Sequence, residues 1–276
     1  MAFKERNISC WIRFFVLTLV IWLSCPLTCI AGGVTQRIEA RARSQLHSLV
    51  SAEEIEREGG LQYQEFLSSA LKKNSLLAPD DKRLKRVIRI AGRLLPFAKR
   101  FNDRAGDWEW EVNVVRSSTI NAFCLPGGKI AVFTGVLDRL KLSDDETAMM
   151  IGHEIAHAVF EHARERASKR LIGRIGTRAI AAFAGKDAGE LARTGANLLA
   201  LKFSRDDELD ADLAGMELAA RAGFDPRAAV SLWKKMAQAS KANTAEFLST
   251  HPSGERRIEA IKLNLDDVLP LYKKAR

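Results

Sequence analysis

From Met149 to Phe160 the chain is apolar except for His153, Glu154 and His157. No other stretch constrains the fold as much. Residues four apart share a helix face, so the imidazoles of His153-Glu154-Ile155-Ala156-His157 point the same way. The apolar neighbours predict a buried helix. Three polar side chains in a buried helix need partners, because unpaired buried charge is costly. Two neutral imidazoles at this spacing can share one zinc ion, with the intervening carboxylate as base for a water on the metal. The expected chemistry is metal-assisted peptide hydrolysis. The rest of the chain must then bring a third ligand and a donor for developing negative charge to this helix.

Glu208 is the candidate third ligand. Ser204 caps a helix that begins Ser204-Arg205-Asp206-Asp207-Glu208 and stops at Gly223. Asp212 lies one turn beyond Glu208 on the same face, placed to hold the outer nitrogen of a ligand histidine. Asp210 points elsewhere. A solvated acidic helix cap is the competing reading of this cluster, and the upstream motif weighs against it. Glu154 is the expected base, passing the water's proton to the leaving amine. His251, in Ser249-Thr250-His251-Pro252-Ser253, is the candidate donor to the oxyanion, although a surface-loop histidine is an equally good reading of those five residues alone. His162 falls five residues past His157, on another helix face, and reads as structural or exposed.

The remaining pattern predicts an α+β fold, mostly helical: a zincin-like domain with a small sheet ahead of the motif helix. Val34 to Ala78 reads as one or two peripheral helices interrupted at Gly59-Gly60. Leu84, Val87, Ile88, Ala91 and Ala98 recur at helical spacing through Asp80–Phe101, with a bend at Pro96. Trp108–Val115 alternates as a half-buried strand; Asn121–Leu125 and Lys129–Thr134 form two more around a Pro126-Gly127-Gly128 turn. Ser143 and Glu146 make a capping box for the motif helix, which should run to about Ser168. Leu171–Leu201 is Gly- and Ala-rich and reads as a lid or packed helices. Asp225-Pro226 starts another helix, and a last one begins near Ser253.

The N-terminus has a different composition. Lys4, Arg6 and Arg13 precede an apolar run from Phe14 to Leu23, the pattern of a secretory signal with cleavage after Ala31. An uncleaved anchor and lipidation at Cys25 or Cys29 are weaker readings. The expected organisation is a leader at 1–31, a helical extension at 32–79 and a metallopeptidase domain at 80–276. Once the leader is removed, Cys124 stands alone and no intrachain disulfide can form. It reads as a small buried hydrophobe rather than a reactive thiol. The net charge is +9, and residues 70–104 hold 11 Lys/Arg against 3 Asp/Glu. A solvated helix face is the first reading, contact with an anionic membrane the second. No nucleic-acid partner is expected, since no such motif accompanies the charge.

Five segments together resemble the HtpX-like and CAAX-prenyl-protease-like zinc metallopeptidases, family forty-eight among the gluzincins. They are Asn121–Gly128, the H-E-x-x-H helix, Ser204-Arg205 through Glu208, Asp210 and Asp212, Thr250-His251-Pro252, and Ser253–Ile258 with Arg256 and Arg257. The resemblance implies one zinc per chain on His153, His157 and Glu208, Glu154 as base, and site roles for Asp212 and His251. It also implies that Asn121, Ala122, Phe123 and Cys124 border the cleft and pair with an extended substrate. The chain looks like the soluble exported members, or the mitochondrial OMA-type catalytic domain without its membrane part. The leading expectation is an exported endopeptidase acting on misfolded or misassembled envelope proteins. A non-proteolytic chaperone or assembly factor using the same cleft is the alternative. A basic membrane- or nucleic-acid-binding protein is a third reading, one in which binding collapses with salt and survives chelation.

Overall fold

The computed structural model describes residues 49–171, 197–241, 246–252 and 254–276. The leader, the start of the helical extension, most of the Gly- and Ala-rich segment and Ser253 lie outside these residues. Among the described residues the fold is α+β and mostly helical, and no helix is long and apolar enough to cross a membrane.

Helix α1 (Ala52–Lys72) is capped by Ser51 and buries Ile55, Gly59, Tyr63, Leu67 and Ala70, a stripe at spacings of four and three. Gly59-Gly60 does not interrupt it. A Cβ on Gly59 would stand 2.5 Å from the Pro126 carbonyl oxygen, so the glycine serves close approach to the sheet's turn rather than a break. Helix α2 (Lys82–Leu94) ends in a 3-10 turn, Leu95–Arg100, begun by Pro96. Three of its basic side chains are held in ion pairs. Arg83 pairs with Asp81 and Asp138, while Arg86 and Arg89 both reach Asp144.

The sheet has three strands, β1 (Glu111–Val115), β2 (Ala122–Leu125) and β3 (Lys129–Phe133), in the order β1-β3-β2. β1 runs parallel to β3 and β2 antiparallel to it, which leaves β2 on an edge. β1 is shorter than the alternation from Trp108 predicts. The Trp108 and Trp110 indoles donate to Glu56 Oε1 at 2.9 Å and to the Ala105 carbonyl at 3.0 Å, which turns both residues out of the ladder. β3 serves two cores. Ile130 and Val132 face the main core, and Ala131 faces a second cluster built by Val50, Ile55, Tyr63 and Leu67. The buried Tyr63 hydroxyl donates to the Ile130 carbonyl at 2.6 Å and fastens α1 to the sheet.

Helix α3 (Thr134–Arg139) leads to α4 (Asp144–Val159), which carries the motif. The capping box is present: Ser143 Oγ accepts from Glu146 N at 3.1 Å, and Glu146 Oε2 accepts from Ser143 N at 2.8 Å. α4 stops well before Ser168. Glu161 adopts φ +55°, and helix α5 then occupies residues 162–171. Helix α6 (Arg205–Arg221) has a second capping box, Ser204 with Asp207, and Gly223 follows its end at φ +74°. α4 and α6 make the most extensive helix–helix contact among the described residues. They cross where Gly152 meets Gly215, and a Cβ on Gly215 would lie 2.7 Å from His153 N. Helices α7 (Ala228–Lys241), α8 (Phe247–Thr250), α9 (Glu255–Leu263) and α10 (Leu265–Ala275) complete the chain. The last predicted helix is thus two, parted at Asn264.

Candidate metal centre

α4 is buried from Glu146 through Val159, so the histidine pair enters the core on one helix face. α6 crosses it and brings Glu208 and Asp212 to the same place. His251 arrives from the residue that ends α8. His153, Glu154, His157, Glu208, Asp212 and His251 are each at most 3% exposed, so bulk water does not solvate them and they need fixed partners.

Four donors close on one point. His153 Nε2 lies 3.1 Å from His157 Nε2 and 3.4 Å from His251 Nδ1. Glu208 reaches His153 Nε2 at 3.5 Å, His157 Nε2 at 3.4 Å and His251 Nδ1 at 2.9 Å. A tetrahedral zinc with bonds of about 2.0–2.1 Å sets its donor atoms about 3.3–3.4 Å apart. Three of the five separations, at 3.4–3.5 Å, come close to that edge, while His153–His157 at 3.1 Å and Glu208–His251 at 2.9 Å are shorter. Neutral imidazole nitrogens facing each other at such range repel unless they share a proton or a cation. His153 Nδ1, Glu154 Oε1 and Glu208 Oε2 are also buried with no well-directed hydrogen bond, although Asp212 Oδ1 stands 3.0 Å from the first and Arg257 Nη1 2.6 Å from the last. The donor set and its orphaned oxygens fit a zinc ion on His153, His157 and Glu208. His251 Nδ1 closes the cluster on its fourth side, and its Nε2 lies 3.9 Å from Glu154 Oε1.

A second ring of side chains holds these groups. His153 Nδ1 is 3.0 Å from Asp212 Oδ1. Arg257 donates to both Asp212 oxygens at 2.7 Å and lies 3.8 Å over the Trp233 ring. His157 Nδ1 is 2.9 Å from His162 Nδ1. Phe203 stacks on His157 and Phe247 on His251, with ring centroids 4.0 and 4.1 Å apart. Asp210 is half-buried and stays out of the cluster. The sequence named Arg257 only within the family pattern and His162 only as structural or exposed, and placed neither beside the donor cluster. The break at Glu161 is what brings His162 to His157.

The electrostatics follow from this crowding. Burial opposes charge on His153, but hydrogen bonds to Asp212 and Glu208 outweigh it and raise its pKa to about 9. Burial pushes His157 well below the ordinary histidine range and His162 down to about 4. Burial would raise Glu208, yet the surrounding His251, His153 and His157 hold it well below the usual carboxylate range. Glu154 is raised, chiefly by burial, the direction that suits a group accepting and returning a proton near neutrality. Cys124, half-buried, has its thiol pushed up by lost hydration and by Glu154, which makes it a poor nucleophile.

A cavity of about 450 Å³ opens beside Glu154 and His251. Asn121, Ala122, Phe123 and Cys124 form one wall through the edge strand. Phe66 of α1 and Phe203 add aromatic surface that the sequence did not single out.

The model for peptidase family M48 matches residues 81–264. Mitochondrial metalloendopeptidase OMA1 of Arabidopsis thaliana is 42% identical over 168 residues, covering 60% of this chain and 34% of that protein. The protein of the same name from Schizosaccharomyces pombe is 39% identical over 184 residues, covering 65% and 50%. Metalloprotease LoiP of Escherichia coli is 25% identical over 177 residues, covering 62% and 69%. The chain therefore spans a third to a half of the length of the two OMA1 relatives.

Proposed function

The chain belongs to peptidase family M48, and we propose that it is a zinc endopeptidase cleaving extended or unfolded polypeptide. The observation that carries this reading is the buried four-cornered donor cluster with Glu154 beside it. His153, His157 and Glu208 would hold the metal, and a zinc ion there would acidify a water and polarise the scissile carbonyl. Glu154, raised by burial, takes the water's proton and returns it to the leaving amine. His251, beside both the donor cluster and Glu154, is placed for its ring to donate to the carbonyl oxygen as negative charge develops. Asp212, gripped by Arg257, orients His153. The substrate backbone adds to the edge of β2, and its side chains enter the cavity past Phe66, Phe123 and Phe203.

Polypeptides of this kind in the cell envelope, misfolded or misassembled, are the proposed clients. The leader, with its basic residues before Phe14–Leu23, supports export. The test compares wild type with Glu154→Gln in zinc analysis and in degradation of an unfolded protein. Both should carry one zinc per chain, and the variant should degrade about 10²–10⁴-fold more slowly. A zinc-loaded variant that degrades as fast as wild type refutes the mechanism. A wild type without zinc refutes the ligand assignment.

A further inference from the structure

His162 is buried and has no part in the reaction as described. On a continued α4 it would point away from His157. Instead α4 ends at Val159, Glu161 takes φ +55°, and α5 restarts at 162. The break turns the His162 ring back, and the two Nδ1 atoms come within 2.9 Å. A non-glycine residue at positive φ costs about 1–2 kcal/mol, so the turn is held by what it accomplishes.

We infer that His162 is a positioning residue for the metal ligand His157, accepting at its Nδ1 the proton on His157 Nδ1. This rests on the reading of His157 as a ligand. A histidine that binds metal through Nε2 carries its proton on Nδ1. His157 is then the donor and His162 Nδ1 the acceptor. His162 must be neutral, with its own proton on Nε2. The bond fixes the tautomer of His157 and aims its Nε2 at the other donors. The two ligand histidines are therefore braced differently, His153 by the carboxylate of Asp212 and His157 by a neutral imidazole. A carboxylate makes its partner the stronger donor. A neutral brace avoids a further buried negative charge beside Glu154, Glu208 and Asp212, with Arg257 as the buried guanidinium against them.

The test measures zinc dissociation by competition with a chromophoric chelator, using the full chain and its His162→Asn and His162→Leu variants. Asparagine places a carbonyl oxygen near the position of Nδ1; leucine offers no acceptor. His162→Leu should weaken zinc about 10–100-fold, and His162→Asn should stay close to wild type. The cobalt-substituted visible spectrum should shift in the leucine variant alone. If His162→Leu does not fold, His162→Gln replaces it, since its carbonyl overshoots the Nδ1 position and should behave as leucine does. The inference is overturned if leucine or glutamine holds zinc as tightly as wild type, or if asparagine is as weak as they are. Wild type that binds zinc alongside unchanged variants sinks this inference alone. Wild type that binds no zinc sinks the ligand assignment and this inference with it.

Discussion

Gly215→Ala should damage the metal centre without touching a ligand. An added Cβ would sit 2.7 Å from His153 N and 3.0 Å from both Gly152 C and His153 Cα. All three are backbone atoms, so no side chain can move aside. Restoring an ordinary contact of about 3.4 Å or more separates α4 from α6 by about 0.7 Å at the crossing. His153 sits on one helix and Glu208 on the other, and metal–ligand distances tolerate only about ±0.2 Å. Overpacking of this kind costs about 1–3 kcal/mol. Alanine in an unhindered helix instead stabilises by about 1 kcal/mol relative to glycine, so the predicted sign is opposite to helix propensity. Gly60→Ala and Gly92→Ala supply that control, because a Cβ at either meets nothing within 4 Å. Thermal melts with and without chelator, together with a zinc competition titration, read the result. Gly215→Ala should lower the melting temperature of the metal-free chain and weaken zinc about 10-fold or more. A variant as stable as wild type with unchanged zinc affinity would refute the reasoning.

Arg257→Ala leaves Asp212 and Glu208 buried without their guanidinium, and should cost about 3–5 kcal/mol in a denaturant titration. A loss below about 1 kcal/mol, the scale of an exposed pair, contradicts the buried-network account. In the metal-free chain, His157 and His162 are neutral when folded and take up protons near their ordinary pKa of about 6.5 when unfolded. Their contribution is present above about pH 6.5 and is lost as pH falls, for His162 through about 4. His153, raised to about 9, acts in the opposite sense: its contribution is complete below about pH 6.5 and lost as pH rises through 9. Melts of the chelator-treated chain should therefore show stability falling on both sides of neutrality, and a flat acid side contradicts the burial of two neutral histidines.

Local rules made much of the fold legible. Ser143 with Glu146 and the acidic start after Ser204 mark two helix N-termini, and both capping boxes are present. Pro126-Gly127-Gly128 joins the predicted hairpin strands. Glu208 and Asp212 fall on one face of α6 and stand beside the histidine pair. The failures have a common cause in contacts distant along the chain. Gly59 looks like a helix breaker until Pro126 is seen against it. Trp108 and Trp110 alternate like strand residues, but their indoles find partners at Glu56 and Ala105. Glu161 lies in a run with no glycine or proline to announce a turn, so the helical periodicity carried straight through it. Arg257 appears in the sequence only within the family pattern, and packing against α6 is what buries it on Asp212.

Strand β3 presents Ile130 and Val132 to one apolar cluster and Ala131 to the other, while Tyr63 reaches across to its backbone. Two cores that share a strand cannot melt separately. The amides of β3 should therefore exchange with deuterium only through global opening, and α1 should not detach as an independent foldon. Phe66, on that helix, faces the cavity beside Glu154. Helix α1 precedes the segment matched to the family, yet it packs on the same sheet that walls the cavity.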